Sequence, residues 1–181
     1  MMRSLLNTIP FSAKGNSIMP EAGETGRKNV AGRAPSVGVE WSLPGFCGNC
    51  RVTTSFGDLP LQALRKRDPL RTTDGRLSQV ALVNRISLDE GFLSGNPDAR
   101  PVRITAGAFG PGKPAADLIV SPQQVVDCGQ SSYHRDFRMS RDLLDRPGIF
   151  RHTAETVTYY LFHCGSEMVV SVEGIAAPIA P

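Results

Sequence analysis

Large apolar residues enter this chain late and in short runs. Residues 1–40 mix Gly, Pro, Asn, Ser, Lys and Glu in no period. Such a segment cannot bury enough surface to offset its ordering entropy, so a flexible leader is expected there. Apolar density begins at Val37–Trp41, and residues 41–181 read as one domain with a core. Short β-rich runs alternate with turn chemistry: Cys50–Ser55, a break at Gly57-Asp58, then Leu59–Leu61 and Pro69–Thr72. After a turn at Asp74-Gly75, the run Ser78–Leu88 has the apolar/polar alternation of one long half-buried strand. Val102–Thr105, Leu118–Val120, Gln124–Cys128, Val157–Cys164 and Met168–Val172 continue the pattern. Only Met139–Leu144 and Leu88–Leu93 have the spacing of a helical turn or two. With 18 Gly and 14 Pro placed at nearly every junction, the pattern predicts an all-β domain.

Composition changes this picture little. A net charge of +3 over 181 residues is spread along the chain beside many acids, as on a solvated surface, so no nucleic-acid partner is expected. The amino terminus is too short and polar for a secretory signal, and no run reaches membrane-spanning length. The expectation is a soluble, cytoplasmic chain with no membrane partner. Four cysteines are too few for a disulfide framework, and in a reducing compartment they stay thiols. Cys47-x-x-Cys50 is half of a zinc site without a second half by spacing, and its flanks lack the β-α-β context of a redox motif. Two thiols in a tight turn is the reading that remains, and no cofactor or metal is expected.

Two segments carry the chemistry. The first supplies Phe46, Arg51-Val52-Thr53-Thr54, Gly57-Asp58, Leu59–Leu64, Asp68-Pro69-Leu70 and Thr72-Thr73-Asp74-Gly75. The second supplies Pro101-Val102, Ile104, Ala106–Gly110, Gly112, Pro114, Asp117-Leu118 and Val120-Ser121-Pro122. In order and spacing the two resemble the motif-bearing halves of a bacterial hedgehog/intein-type (Hint) autoprocessing domain. Glu167–Gly174, followed by Ala176-Ala177, resembles that family's last strand and turn. The resemblance covers Gly45 to the carboxyl end and implies a horseshoe of short, mostly antiparallel strands.

It also implies chemistry on the chain's own backbone as substrate. In such domains a first Cys attacks the carbonyl before it in an N-to-S acyl shift, helped by a Thr-x-x-His motif whose imidazole protonates the departing amide nitrogen. Counting back from the strand at Val52, the nucleophile position falls on Gly45, which has none. Cys47 would serve if the turn were two residues shorter, placing the junction at Phe46–Cys47. Ser121 and Pro122 match the second motif, but Gln124 stands where the His belongs. An amide hydrogen-bonds yet delivers no proton near neutrality.

Of the three histidines, His163 is the candidate to replace the missing one, since it lies in an expected strand near the closing segment. His134 and His152 read as loop residues. Glu155, Asp142 and Asp145 have no fixed mutual geometry, and Arg135–Arg151 reads as a mixed-charge surface loop. The site residues drawn from the sequence are therefore Cys47, Ser121, Gln124 and His163. Two outcomes follow: a domain that cuts itself near Gly45–Cys47, or a Hint fold kept intact as a binding or structural module.

Overall fold

A computed structural model describes residues 41–131 and 133–181; the expected leader, residues 1–40, lies outside the described residues. Fourteen strands occur among them. In chain order these are β1 (Phe46–Cys47), β2 (Arg51–Thr54), β3 (Gly57–Pro60), β4 (Pro69–Arg71), β5 (Leu77–Gln79), β6 (Leu82–Leu88) and β7 (Val102–Ile104). The second half adds β8 (Leu118–Val120), β9 (Val125–Asp127), β10 (Phe137–Met139), β11 (Ile149–Arg151), β12 (Val157–His163), β13 (Met168–Val172) and β14 (Ile175–Ile179). The expected all-β class holds.

One sheet runs β11-β7-β8-β1-β12-β6, and a second runs β14-β13-β2-β4-β5 with β3 attached to β2. Strands β9 and β10 form a separate hairpin, and the pairs are antiparallel throughout. In β2 alternation does the sorting: Val52 and Thr54 turn inward and Arg51 stays in water.

Several expectations change for local reasons. Gly57-Asp58 opens β3 instead of breaking the pattern, because the hairpin turns one step earlier, at Ser55-Phe56. The run Ser78–Leu88 is two strands. Val80 exchanges main-chain hydrogen bonds with Asp68 and Arg67, whereas the Ala81 N–H donates to the His163 carbonyl at 2.8 Å. The chain thus crosses from one sheet to the other between adjacent residues. The helical turn expected over Met139–Leu144 is a 3-10 turn at Ser140–Leu143, which follows directly on β10 at Met139. Leu88–Leu93 gives way to a short helix, α1 (Glu90–Gly95), started by Asp89, whose carboxylate accepts the Phe92 N–H at 2.8 Å. Strands β1, β10, β11 and β14 have no clear signal in the sequence pattern, and β10 and β11 run through the segment read as a loop.

The main core lies among the strands around Phe46, Val52, Leu61, Leu70, Leu118 and Val120. A second cluster joins Trp41, Leu88, Leu93, Ala99, Val157 and Tyr159. The Tyr159 phenol is fully buried and donates to the Ala99 carbonyl at 2.8 Å, and burial raises its pKa beyond the ordinary phenol range. Among the described residues every buried side-chain nitrogen or oxygen has a partner. None of their helices is long and apolar enough to cross a membrane.

Tyr159→Phe should cost about 1 kcal/mol, the net worth of one buried hydrogen bond. Leu93→Ala, which empties the same cluster, should cost about 2–5 kcal/mol. Urea unfolding of the two variants checks the order, and equal costs would place the phenol outside the cluster's energetics.

Candidate functional site

The turn Ser121–Gln124, which joins β8 to β9, builds the site. It is closed by the Gln124 N–H donating to the Ser121 carbonyl at 2.9 Å. Ser140 holds it from behind: its hydroxyl donates to the Ser121 carbonyl at 2.8 Å and its N–H to the Gln124 carbonyl at 2.9 Å. Ser140, the first residue past β10, thus touches both ends of the turn. Ser121 and Gln124 are both buried.

This turn grips the segment Trp41–Gly45. The Ser121 N–H donates to the Gly45 carbonyl at 2.8 Å, and its hydroxyl donates to the Leu43 carbonyl at 2.5 Å. The Gln123 side-chain amide donates to the Trp41 carbonyl at 2.7 Å. The Gln124 Oε1 accepts the Gly45 N–H at 3.0 Å, while its Nε2 donates to the Val125 carbonyl at 3.0 Å. Both ends of that amide are therefore used, and only one orientation satisfies both.

Gln124 thus meets the amide nitrogen of the Pro44–Gly45 peptide bond. Gly45 has φ of +149°, a conformation that side chains rarely adopt. A Cβ added there would sit 3.2 Å from the Tyr159 Cβ and 3.3 Å from the Tyr160 carbonyl. The backbone at this position is fitted to glycine, and the bond that Gln124 addresses has no nucleophile on its carboxyl side.

Cys47 lies elsewhere. It ends β1, opposite Tyr159, where it packs against both hydrophobic clusters. Burial, and secondarily the neighbouring Cys50, pushes its thiol up to about 12. Cys50 closes the turn with its N–H on the Cys47 carbonyl at 3.1 Å, its Sγ donates to the Ile119 carbonyl at 3.5 Å, and burial raises it to about 11. The two thiols do sit in a tight turn. Its width is set by Gly48, where a Cβ would stand 2.7 Å from the Tyr160 ring.

His163 ends β12 and lines the same cleft as Gly45 and Gln124, a space of about 880 Å³. Its Nδ1 accepts the Gly165 N–H at 3.1 Å, which in the neutral ring leaves the proton on Nε2. Gln124 and His163 therefore share one cleft, with Gln124 on the Gly45 amide, while Ser121 is buried in the turn beside it. Cys47 is set apart by a strand pairing. His134 lies in an exposed turn, and His152 just past β11. No group of His, Cys, Asp or Glu able to hold a metal ion occurs among the described residues.

Sequence reasoning missed Trp41. Its indole N–H donates to the Ser121 Oγ at 2.9 Å, and its ring packs against Tyr159 at 5.7 Å and Phe92 at 6.2 Å between centroids. Removing about 150–250 Å² of aromatic surface from water is worth roughly 4–6 kcal/mol as an upper figure. The signal was present as the chain's one tryptophan, four residues before Gly45.

The profile of the Hint domain matches residues 44–178, most of the chain, and begins one residue before Gly45. The chain belongs to the Hint domain family. It is thus a domain of the autoprocessing, intein-related type. Among solved structures it is similar to the gp41-1 intein, at 10% identity and a TM-score of 0.48 over 75% of this chain and 98% of that one. It is also similar to the Msm DnaB1 intein splicing domain bound with zinc, at 10% identity and 0.47 over 75% and 99%. A third is the MchDnaB-1 intein, at 10% identity and 0.45 over 74% and 98%. No curated protein matches the chain.

Gln124→Ala should leave the Gly45 N–H and the Val125 carbonyl unpaired at a cost of about 1–3 kcal/mol. Amide hydrogen exchange should show Gly45 exchanging faster than in the parent protein; unchanged protection would mean that the Gln124 contact does not hold it.

The thiols give a pH prediction. A folded-state pKa above the unfolded one, about 9, keeps its full contribution to stability below pH 9. That contribution is then lost as pH rises to about 12, where the folded thiol also ionises. Thermal melts of the parent chain should fall over this window, and Cys47→Ala should flatten the fall.

Proposed function

We propose that self-cleavage is lost in this Hint domain and that the fold works as a binding or structural module joined permanently to its upstream flank. The observation that carries this reading is the 3.0 Å hydrogen bond from the Gly45 N–H to the Gln124 Oε1. It keeps the ground-state contact between the second motif and the junction amide while both reacting groups are gone.

The acyl shift needs a thiol or hydroxyl on the residue after the junction, and Gly45 supplies neither. It also needs a proton for the departing nitrogen. Gln124 donates to Val125 and accepts from Gly45, so it brings no ionisable proton to the amide. Losing acid help alone commonly costs about 10²–10⁴ in rate.

Cys47 is a poor substitute. With its thiol up at about 12, the thiolate fraction at pH 7 is on the order of 10⁻⁵. Phe46, whose carbonyl it would attack, pairs with both Val120 and Tyr160 inside the sheet, and Gln124 does not reach that bond. The segment that cleavage would release is moreover packed into the second cluster through Trp41. The chemistry's substrate would be the chain's own backbone. A reducing, cytoplasmic setting suits four cysteines that are all thiols.

The intact mass of the purified full chain, with and without a strong thiol or hydroxylamine, tests the reading beside Cys47→Ala. A single full-length mass is expected in every case. A fragment beginning at Gly45 or Cys47 would overturn it.

A further inference from the structure

Trp41 stands four residues before the Pro44–Gly45 bond, in the stretch that an autoprocessing domain treats as what it cuts away. Here that stretch has a receptor. The indole lies against Tyr159 and Phe92, among Leu88, Leu93 and Ala99, with its N–H on the Ser121 Oγ at 2.9 Å. That hydroxyl is also fixed from the other side, since its own proton goes to the Leu43 carbonyl at 2.5 Å. Ser121 therefore presents a lone pair, not a proton, to the ring. The receptor is apolar on its walls and a hydrogen-bond acceptor at one point, which is the chemistry of an indole.

We propose that this pocket is a recognition site for an indole on the upstream flank, read four residues before the junction, and that it keeps the flank docked whether or not the backbone is whole. The assignment of the junction to Pro44–Gly45 rests on the reading above; the pocket's selectivity does not. Trp41 is a positioning residue: through Ser121 and Leu43 it sets where the junction lies against Gln124. A site with a buried acceptor discriminates by what it leaves unpaired. An aromatic of the same shape without an N–H strands the Ser121 lone pair, whereas an indole satisfies it.

The test uses the full chain with the pocket emptied. In Trp41→Ala, free indole should raise the melting temperature, as an apolar cavity takes up a matching ring. Benzothiophene, which has the shape but no N–H, should bind about 2- to 10-fold more weakly, the factor expected of one net hydrogen bond. Adding Ser121→Ala should abolish that preference. Indole without effect, or equal affinity for both rings, would overturn the proposal.

Should Trp41→Ala fail to fold, the parent chain answers through its one tryptophan. Emission is expected to be blue-shifted relative to tryptophan in water and shielded from acrylamide, with Ser121→Ala shifting it while the fold persists. Red, freely quenched emission in the parent would overturn the proposal. Neither readout depends on cleavage, so failure here is distinguishable from a cut chain, which the intact mass reports.

Discussion

The grip of the Ser121–Gln124 turn on Trp41–Gly45 is the constraint on which the site depends. Five hydrogen bonds tie a loop between β8 and β9 to a segment some 80 residues away in sequence. The bonds from the Trp41 indole to Ser121 and from the Gly45 N–H to Gln124 are buried, so loosening either leaves a desolvated polar group behind. Position 45 therefore tolerates glycine and little else. Ser140 then fixes the turn from the far side.

The two hydrophobic clusters divide the labour. The main cluster joins the sheets and would exist for any chain with this alternation of apolar residues. The second is local to the junction: Trp41, Tyr159 and Leu93 pack beside the bond that an active relative would cut. Binding energy that an autoprocessing domain would need to give up on release is here kept in the ground state. A contact of that kind stabilises the uncut chain and contributes nothing to a transition state.

Much of this was legible in the residues. Leu118–Val120 and Met168–Val172 were bounded correctly because short runs rich in β-formers met polar and turn residues at both ends. The Ser-Pro-Gln-Gln turn was legible as a site through the resemblance of Pro101–Pro122 to the second Hint motif. Other features had no local signal. The break in Ser78–Leu88 arises from two sheets competing for adjacent amides, and nothing in a run of good strand formers announces it. Strand β1 is two residues long, too short for any period to show. The role of Trp41 depends on Tyr159, 118 positions away, and a pairing at that distance leaves no mark on either neighbourhood.

That two-residue strand has a consequence for how the molecule is made. β1 stands between β8 and β12, so the sheet is continuous only where Phe46 meets Val120 on one side and Tyr160 on the other. Neither contact is local, and both close loops of more than 70 residues. The chain must bring three remote stretches together before this sheet is whole, and a topology so rich in distant pairings folds on the slow side, in about milliseconds to seconds. Before that moment the two halves of the sheet present unpaired edges to solvent. Assembly of the keystone, more than the strength of any one strand, sets how long the nascent domain stays exposed to wrong partners.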